Sequence, residues 1–388
     1  MDLHWLKPLL GRPAPFTTVY LDVTRAESAG EAEAADRWRG ARRSLERDGA
    51  SAAVLDEIGD LLAVPAGDRG PKGRVVVADR DGVVVDQLVS APPAQPTVVH
   101  GPLPVLLPAV RAACEVVDYV VVLVDRSGAD LHWSAGDSES VDGGHDDLHK
   151  TRDGLSRRAQ TRAEDSWHRN AEVVAQVLTQ RVAERAPELV LVSGDVRAVA
   201  MVCESVGQPV RESLAEVQGG ARGQGAKQGA FHQHVADAVQ AYRDRRRSAV
   251  LDKLTQGLGR GDGAVTTLGD VVEVLRRGQV DELVLDDEVS TSRFGDRELW
   301  VGTDPLQIAT NPADLEALGV SSSDAVKLPA GAALVRAALG QDAGITFAPD
   351  GFAEIREGIG AVLRWSDGST PHESLLTQSA DQRRLRAT

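Results

Sequence analysis

The sequence predicts a mixed α/β (α+β) protein in which each of three domains is a mixed sheet with packed helices. Three observations predict it. Short runs rich in valine or leucine at 73–78, 119–125, 189–193 and 281–285 read as strands, and stretches of helical apolar spacing alternate with them. The chain is 42% hydrophobic and 26% charged, enough to bury a core and too apolar for a disordered chain. At about 150 residues per domain, 388 residues make two or three domains. The segments divide as 1–100, 101–245 and 246–388.

The first segment reads β-α-β-β. A strand at 16–21 precedes a helix over 30–48 and a second over 52–62. Strands at 73–78 and 82–88 form a hairpin about the turn-forming Asp79-Arg80-Asp81-Gly82. The proline-rich run 91–96 cannot continue a ladder and is expected to link segments. The middle segment opens with a helix near 106–113. Strands at 119–125 and 129–134 then form a hairpin across Arg126-Ser127-Gly128. A polar stretch, 137–159, has no apolar period, whereas Trp167, Ala171, Val174, Val177, Leu178 and Val182 give 162–185 an amphipathic helical spacing. Pro187 ends that helix, and 189–193 is a buried strand. A long helix over 228–254 joins the last segment. There a helix over 268–277 capped by Gly278, a strand at 281–285, a helix over 330–339 and strands at 344–348 and 362–365 continue the alternation.

Charge narrows the class. Lys and Arg number 43 and Asp and Glu 58, a net −15, which argues against coating nucleic acid by bulk charge. The acidic excess is concentrated in the last segment. Two cysteines, Cys114 and Cys203, offer neither a disulfide framework nor a metal knuckle. The start lacks a basic segment followed by an apolar run, so no signal peptide is expected. The most apolar run, 116–124, is interrupted by Asp118 and too short to span a bilayer. A cytoplasmic protein with no membrane and no DNA partner is expected.

Most motifs carry little. The glycine run 257–263 follows a helix rather than a strand, so a flexible connector is expected there rather than a nucleotide site. His145 and His149 have the spacing of a metal pair but follow two glycines and lack a general-base glutamate, so loop histidines are expected and no metal or other cofactor. No serine elbow or Ser/His/Asp grouping is visible, and no catalytic residue is assigned. The run Gly219-Gly220-Ala221-Arg222-Gly223-Gln224-Gly225 reads as an exposed glycine loop ahead of a long helix. The informative stretch is 148–162, where Lys150, Arg152, Arg157, Arg158 and Arg162 crowd together beside Ala159 and Gln160. Positive charge running into a helix start suits a phosphate-rich RNA surface. A second basic patch is expected at Arg243, Arg245, Arg246 and Arg247.

Taken in order, these features resemble the archaeal and eukaryotic class-1 peptide-release factor and its relative Pelota. The carriers are the 119–133 hairpin, Leu148-His149-Lys150, Arg158-Ala159-Gln160, the helix and strand after them, the 268–285 unit, and Gly358-Ile359-Gly360-Ala361-Val362-Leu363-Arg364. The resemblance implies a three-domain release-factor-like architecture. By position, the family's catalytic Gly-Gly-Gln falls on Arg158-Ala159-Gln160, so the glutamine remains and both glycines are gone. No counterpart of the family's stop-codon loop occurs in 1–100. Within the family the chain resembles the Balon group and the actinobacterial dormancy-type hibernation factors. That likeness implies a stress-linked ribosome hibernation factor that occupies the vacant A site of the 70S ribosome, contacts rRNA and reaches the peptidyl-transferase centre without hydrolysis. Elongation factor Tu is a partner implied for the Balon group, and its transfer to this chain stays open. Two alternatives stand beside this reading: a release or rescue factor using Gln160 to position water, and an RNA-independent stress scaffold docking a protein through the acidic last segment.

Overall fold

A computed structural model of the chain describes residues 3–24, 28–64, 72–89, 92–143, 157–223, 228–287, 297–355 and 357–371. They form a mixed α/β fold that packs as two units: 1–116 together with 247–388, and 117–246.

In the first unit, a 3-10 turn at His4–Leu9 leads to β1 (Phe16–Asp22), α1 (Ser28–Arg47), α2 (Ala52–Ala63), β2 (Gly73–Ala78), β3 (Val83–Val89), β4 (Thr97–Gly101) and α3 (Leu107–Cys114). The sheet order is β3-β2-β1-β4, antiparallel throughout. β2 is buried along its whole length because both faces are covered, which is why it reads as unbroken valine rather than as an alternation. Leu45, Leu55 and Ile58 of α1 and α2 cover Val76 on one face, while Val75 and Val77 meet a second cluster on the other. The run 91–96 is therefore no link between domains. Beyond it β4 pairs with β1 of the same sheet, and α3, expected to open the middle segment, packs into this unit's core.

The central unit holds β5 (Tyr119–Val124), β6 (Gly128–Trp133), β7 (Ser138–Asp142), α4 (Arg157–Arg185), β8 (Leu189–Gly194), α5 (Val196–Ser205), α6 (Gln208–Ser213), β9 (Leu214–Glu216) and the first part of α7 (Gln228–Arg260). Its sheet runs β7-β6-β5-β8-β9, with β5, β8 and β9 parallel and β6 and β7 antiparallel. Alternation along β5 sends Val120, Val122 and Val124 to α4 and α5, and Val121 to Phe231, Val235 and Val239 of α7. β7 lay unseen in the polar stretch because this edge strand buries only Val141.

From residue 247 the chain rejoins the first unit. α7 extends six residues beyond its expected end and takes up Gly257 and Gly259, so the glycine run is not simply a flexible connector. Gly257 is where β10 (Ala264–Val265) crosses the helix, and a Cβ there would lie 2.7 Å from that of Ala264. Then follow α8 (Leu268–Arg276), β11 (Val280–Asp286), β12 (Glu298–Val301), β13 (Ile308–Ala309), α9 (Pro312–Ala317), β14 (Val326–Pro329), α10 (Ala330–Gly340), β15 (Gly344–Ala348) and β16 (Ile359–Leu363). One sheet is ordered β10-β16-β11-β15 and a small one β13-β12-β14. The last strand sits earlier than expected: it ends at Leu363 and leaves Trp365 half exposed. No helix among the described residues is long and apolar enough to cross a membrane.

Candidate RNA-binding end of the central sheet

The C-terminal ends of β5, β8 and β9 share one end of the central sheet with the start of β6 and the end of β7. In open sheets containing parallel strands, such an end is where ligands meet the fold. The hairpin turn Asp125–Gly128 organises it. Asp125 Oδ1 accepts from the backbone N–H of Ser127 (2.8 Å) and Gly128 (2.9 Å) and from the Ser127 hydroxyl (2.7 Å), an Asx turn that fixes the loop.

That turn holds both flanks of the 144–156 stretch. On the outgoing side, Gly143 N–H donates to the Ser127 carbonyl at 2.8 Å. On the returning side, Asn170 Nδ2 of α4 donates to the Arg126 carbonyl at 2.9 Å, and the Arg126 guanidinium lies 4.4 Å over the Trp167 ring. Arg126 also pairs with Asp195 at 3.3 Å, and Asp195 caps α5 through the N–H groups of Arg197 and Ala198.

The glycine loop after β9 is more than an exposed connector. From it Arg222 reaches three aspartates: Nε donates to Asp130 at 2.9 Å, Nη2 to Asp142 at 3.0 Å, and Nη1 lies 3.4 Å from Asp125 while donating to Ser127 Oγ at 3.0 Å. These bonds join β6, β7 and the hairpin turn to the loop after β9. Burial raises the Asp125 carboxyl, but the Ser127 bonds, the Arg222 charge and the Gly128 N–H outweigh it and hold the group below the usual range. Asp130 is lowered likewise: burial opposes, and Ser140 and Arg222 prevail. Burial would lower Arg222, but its carboxylate partners raise it, so it stays charged.

A pH dependence follows. Both carboxyls are depressed in the native state, so their contribution is present above the unfolded value of about 4 and is lost as pH falls through the native values. Arg222→Met is expected to destabilise the central unit by about 2 kcal/mol at neutral pH, a modest figure because Asp142 is largely solvated. The deficit should shrink as pH falls below about 4, where wild type loses the same interactions. Urea unfolding at pH 7 and pH 3 checks both statements, and a deficit that persists undiminished at pH 3 would contradict them.

Of the residues singled out in the sequence, Lys150, Arg152, His145 and His149 lie outside the described residues. Arg157, Arg158, Ala159, Gln160 and Arg162 stand at the start of α4, which begins five residues earlier than expected. The reason is local: Arg, Arg, Ala and Gln are strong helix formers, and without glycine nothing keeps that backbone open. The second patch lies on α7 and is partly compensated. Arg246 pairs with Glu188 at 2.7 Å and Arg247 with Glu115 at 3.7 Å, whereas Arg245 is exposed. Arg222 and the Arg126–Trp167 stack were not picked out from the sequence, since each joins parts of the chain remote in sequence.

Residues 118–260, which span the central sheet and α7, match the family model "Bacterial archaeo-eukaryotic release factor family 2". "Uncharacterized protein Rv2629" of Mycobacterium tuberculosis (strain ATCC 25618 / H37Rv) is 28% identical over 385 residues, covering 94% of this chain and 96% of that protein. Among solved structures, the archaeal translation termination factor aRF1 is similar at 15% identity over 93% of this chain and 96% of that one, with a TM-score of 0.23. The model of ribosome-bound archaeal Pelota and ABCE1 matches at 13% identity over 94% and 93% of the two chains, with a TM-score of 0.40.

Proposed function

We propose a function on the premise that this chain is a bacterial release-factor- and Pelota-like protein: it occupies the vacant A site of idle 70S ribosomes and does not hydrolyse peptidyl-tRNA. In this reading the central unit reaches the peptidyl-transferase centre, and the protein is a hibernation factor. The observation that carries it is the turn at Arg126 and Ser127, which fastens both flanks of the basic stretch to one end of the sheet. Arg157, Arg158 and Arg162 at the start of α4 are then delivered as a group to rRNA phosphates. The overall −15 is tolerated because the charge that meets RNA is local.

The helix start supports an absence of hydrolysis. A Gly-Gly-Gln loop needs backbone freedom that glycine supplies, and here Arg158 and Ala159 stand in those places in helical backbone. Gln160 is thus assigned no catalytic role. On 70S ribosomes carrying labelled peptidyl-tRNA, the protein should release no peptide above background. Release that Gln160→Ala abolishes would instead establish a release or rescue factor. Delivery by elongation factor Tu, implied by the Balon resemblance, would show as ribosome binding that increases when that factor and GTP are added.

A further inference from the structure

We propose that the stacked Arg126–Trp167 pair, with Arg197 two residues along the chain from the Asp195 that holds it, is a platform for an unpaired RNA base, an inference that rests on the ribosome-binding reading and adds a subsite to it. The stack is built rather than incidental. Asp195 holds the Arg126 guanidinium at 3.3 Å while the Trp167 ring lies 4.4 Å beneath it. The Arg126 side chain nevertheless keeps 39% of its surface exposed, while its Nε is buried without a hydrogen-bond partner. An arginine plane fixed in this way offers a base the same flat, cationic surface that aromatic residues offer in single-strand recognition.

The surroundings point to RNA. Val196, next along the chain from Asp195, is 84% exposed, an apolar side chain that nothing among the described residues covers. Arg197 follows it, exposed and without an ion pair among the described residues. The nearby carboxylates are engaged: Asp195 by Arg126 and the start of α5, Asp125 and Asp142 by Arg222. An exposed apolar side chain and an exposed cation thus follow directly on the Asp195 that holds the stacked plane, at the sheet end that fastens the basic stretch. The other Arg–Trp pair of this unit shows the contrast. Arg185 lies 4.5 Å over Trp133 and keeps 42% of its side chain exposed, but that tryptophan is only 8% exposed and stands at the end of β6 opposite the hairpin turn.

The test measures binding of the full chain to vacant 70S ribosomes over a salt series. Trp167→Leu should weaken binding about ten- to a hundredfold with little change in salt slope, as loss of one stacked base does. Trp167→Phe should retain most of the affinity. Arg197→Gln should reduce the salt slope by about one. A photo-crosslinking amino acid at position 196 should label rRNA. Wild-type affinity in a folded Trp167→Leu variant, or crosslinks to ribosomal protein alone, would overturn the platform and leave the A-site reading intact. Should Trp167→Leu fail to fold, Arg197→Gln and the crosslink decide. Failure of the wild-type chain to bind vacant ribosomes would overturn the reading beneath it.

Discussion

Reversing Arg157 and Arg158 together to glutamate is expected to weaken binding to vacant 70S ribosomes on the order of a hundredfold or more at physiological salt. Each charge-assisted contact to a phosphate contributes about 1.5–3 kcal/mol, and reversal adds repulsion to its loss. The salt dependence should fall with it, by about one unit of log–log slope per contact removed. Both residues lie in the first turn of α4, where the positive end of the helix adds to their attraction for anions. Glutamate is itself well placed at a helix start, so the variant should fold, which circular dichroism can verify. Equilibrium filter binding between 50 and 300 mM salt (about 13 to 6 Å of screening) makes the measurement. Unchanged affinity and slope would remove the start of α4 from the interface.

Gly194→Val should unfold or nearly unfold the central unit. Gly194 ends β8 at φ +139°, a conformation that side-chain-bearing residues rarely adopt, and it abuts the end of β5. A Cβ there would lie 1.9 Å from the Val124 carbonyl oxygen, a backbone atom that cannot move aside without breaking the parallel pairing. Conformational strain of about 1–3 kcal/mol and the steric clash compound one another, so a loss above about 4 kcal/mol is expected. Thermal melting of the variant gives the answer, and a shift of only a few degrees would contradict the close approach of β5 and β8. Because Asp195 follows directly and carries both Arg126 and the cap of α5, ribosome binding should be lost as well.

Much of this fold is legible in the residues, and what is not has identifiable causes. The valine runs of β2, β5 and β8 announce strands because both faces of each are covered, and turn chemistry at Asp79–Gly82 and Asp125–Gly128 marks the hairpins. Edge strands are nearly silent: β7 contributes one buried valine, and β4 follows a proline-rich run that looks like a boundary. The four-residue strands β12 and β14 are too short for any period to register. The candidate site divides the same way. Its basic residues stand out because charge density is a local property of sequence. Arg222 does not, since its carboxylates lie 80 to 97 positions away and only folding brings them to one side chain. The Arg126–Trp167 contact is hidden for the same reason, with β6 and β7 between its partners.

The most direct test of the central claim is co-sedimentation of the purified full chain with vacant 70S ribosomes through a sucrose gradient at physiological salt, with and without excess tRNA bound in the A site. An A-site ligand should migrate with the ribosomes and be displaced by the tRNA. A chain that remains at the top of the gradient even with elongation factor Tu and GTP present, or one that co-migrates equally whether or not tRNA fills the A site, would contradict the account.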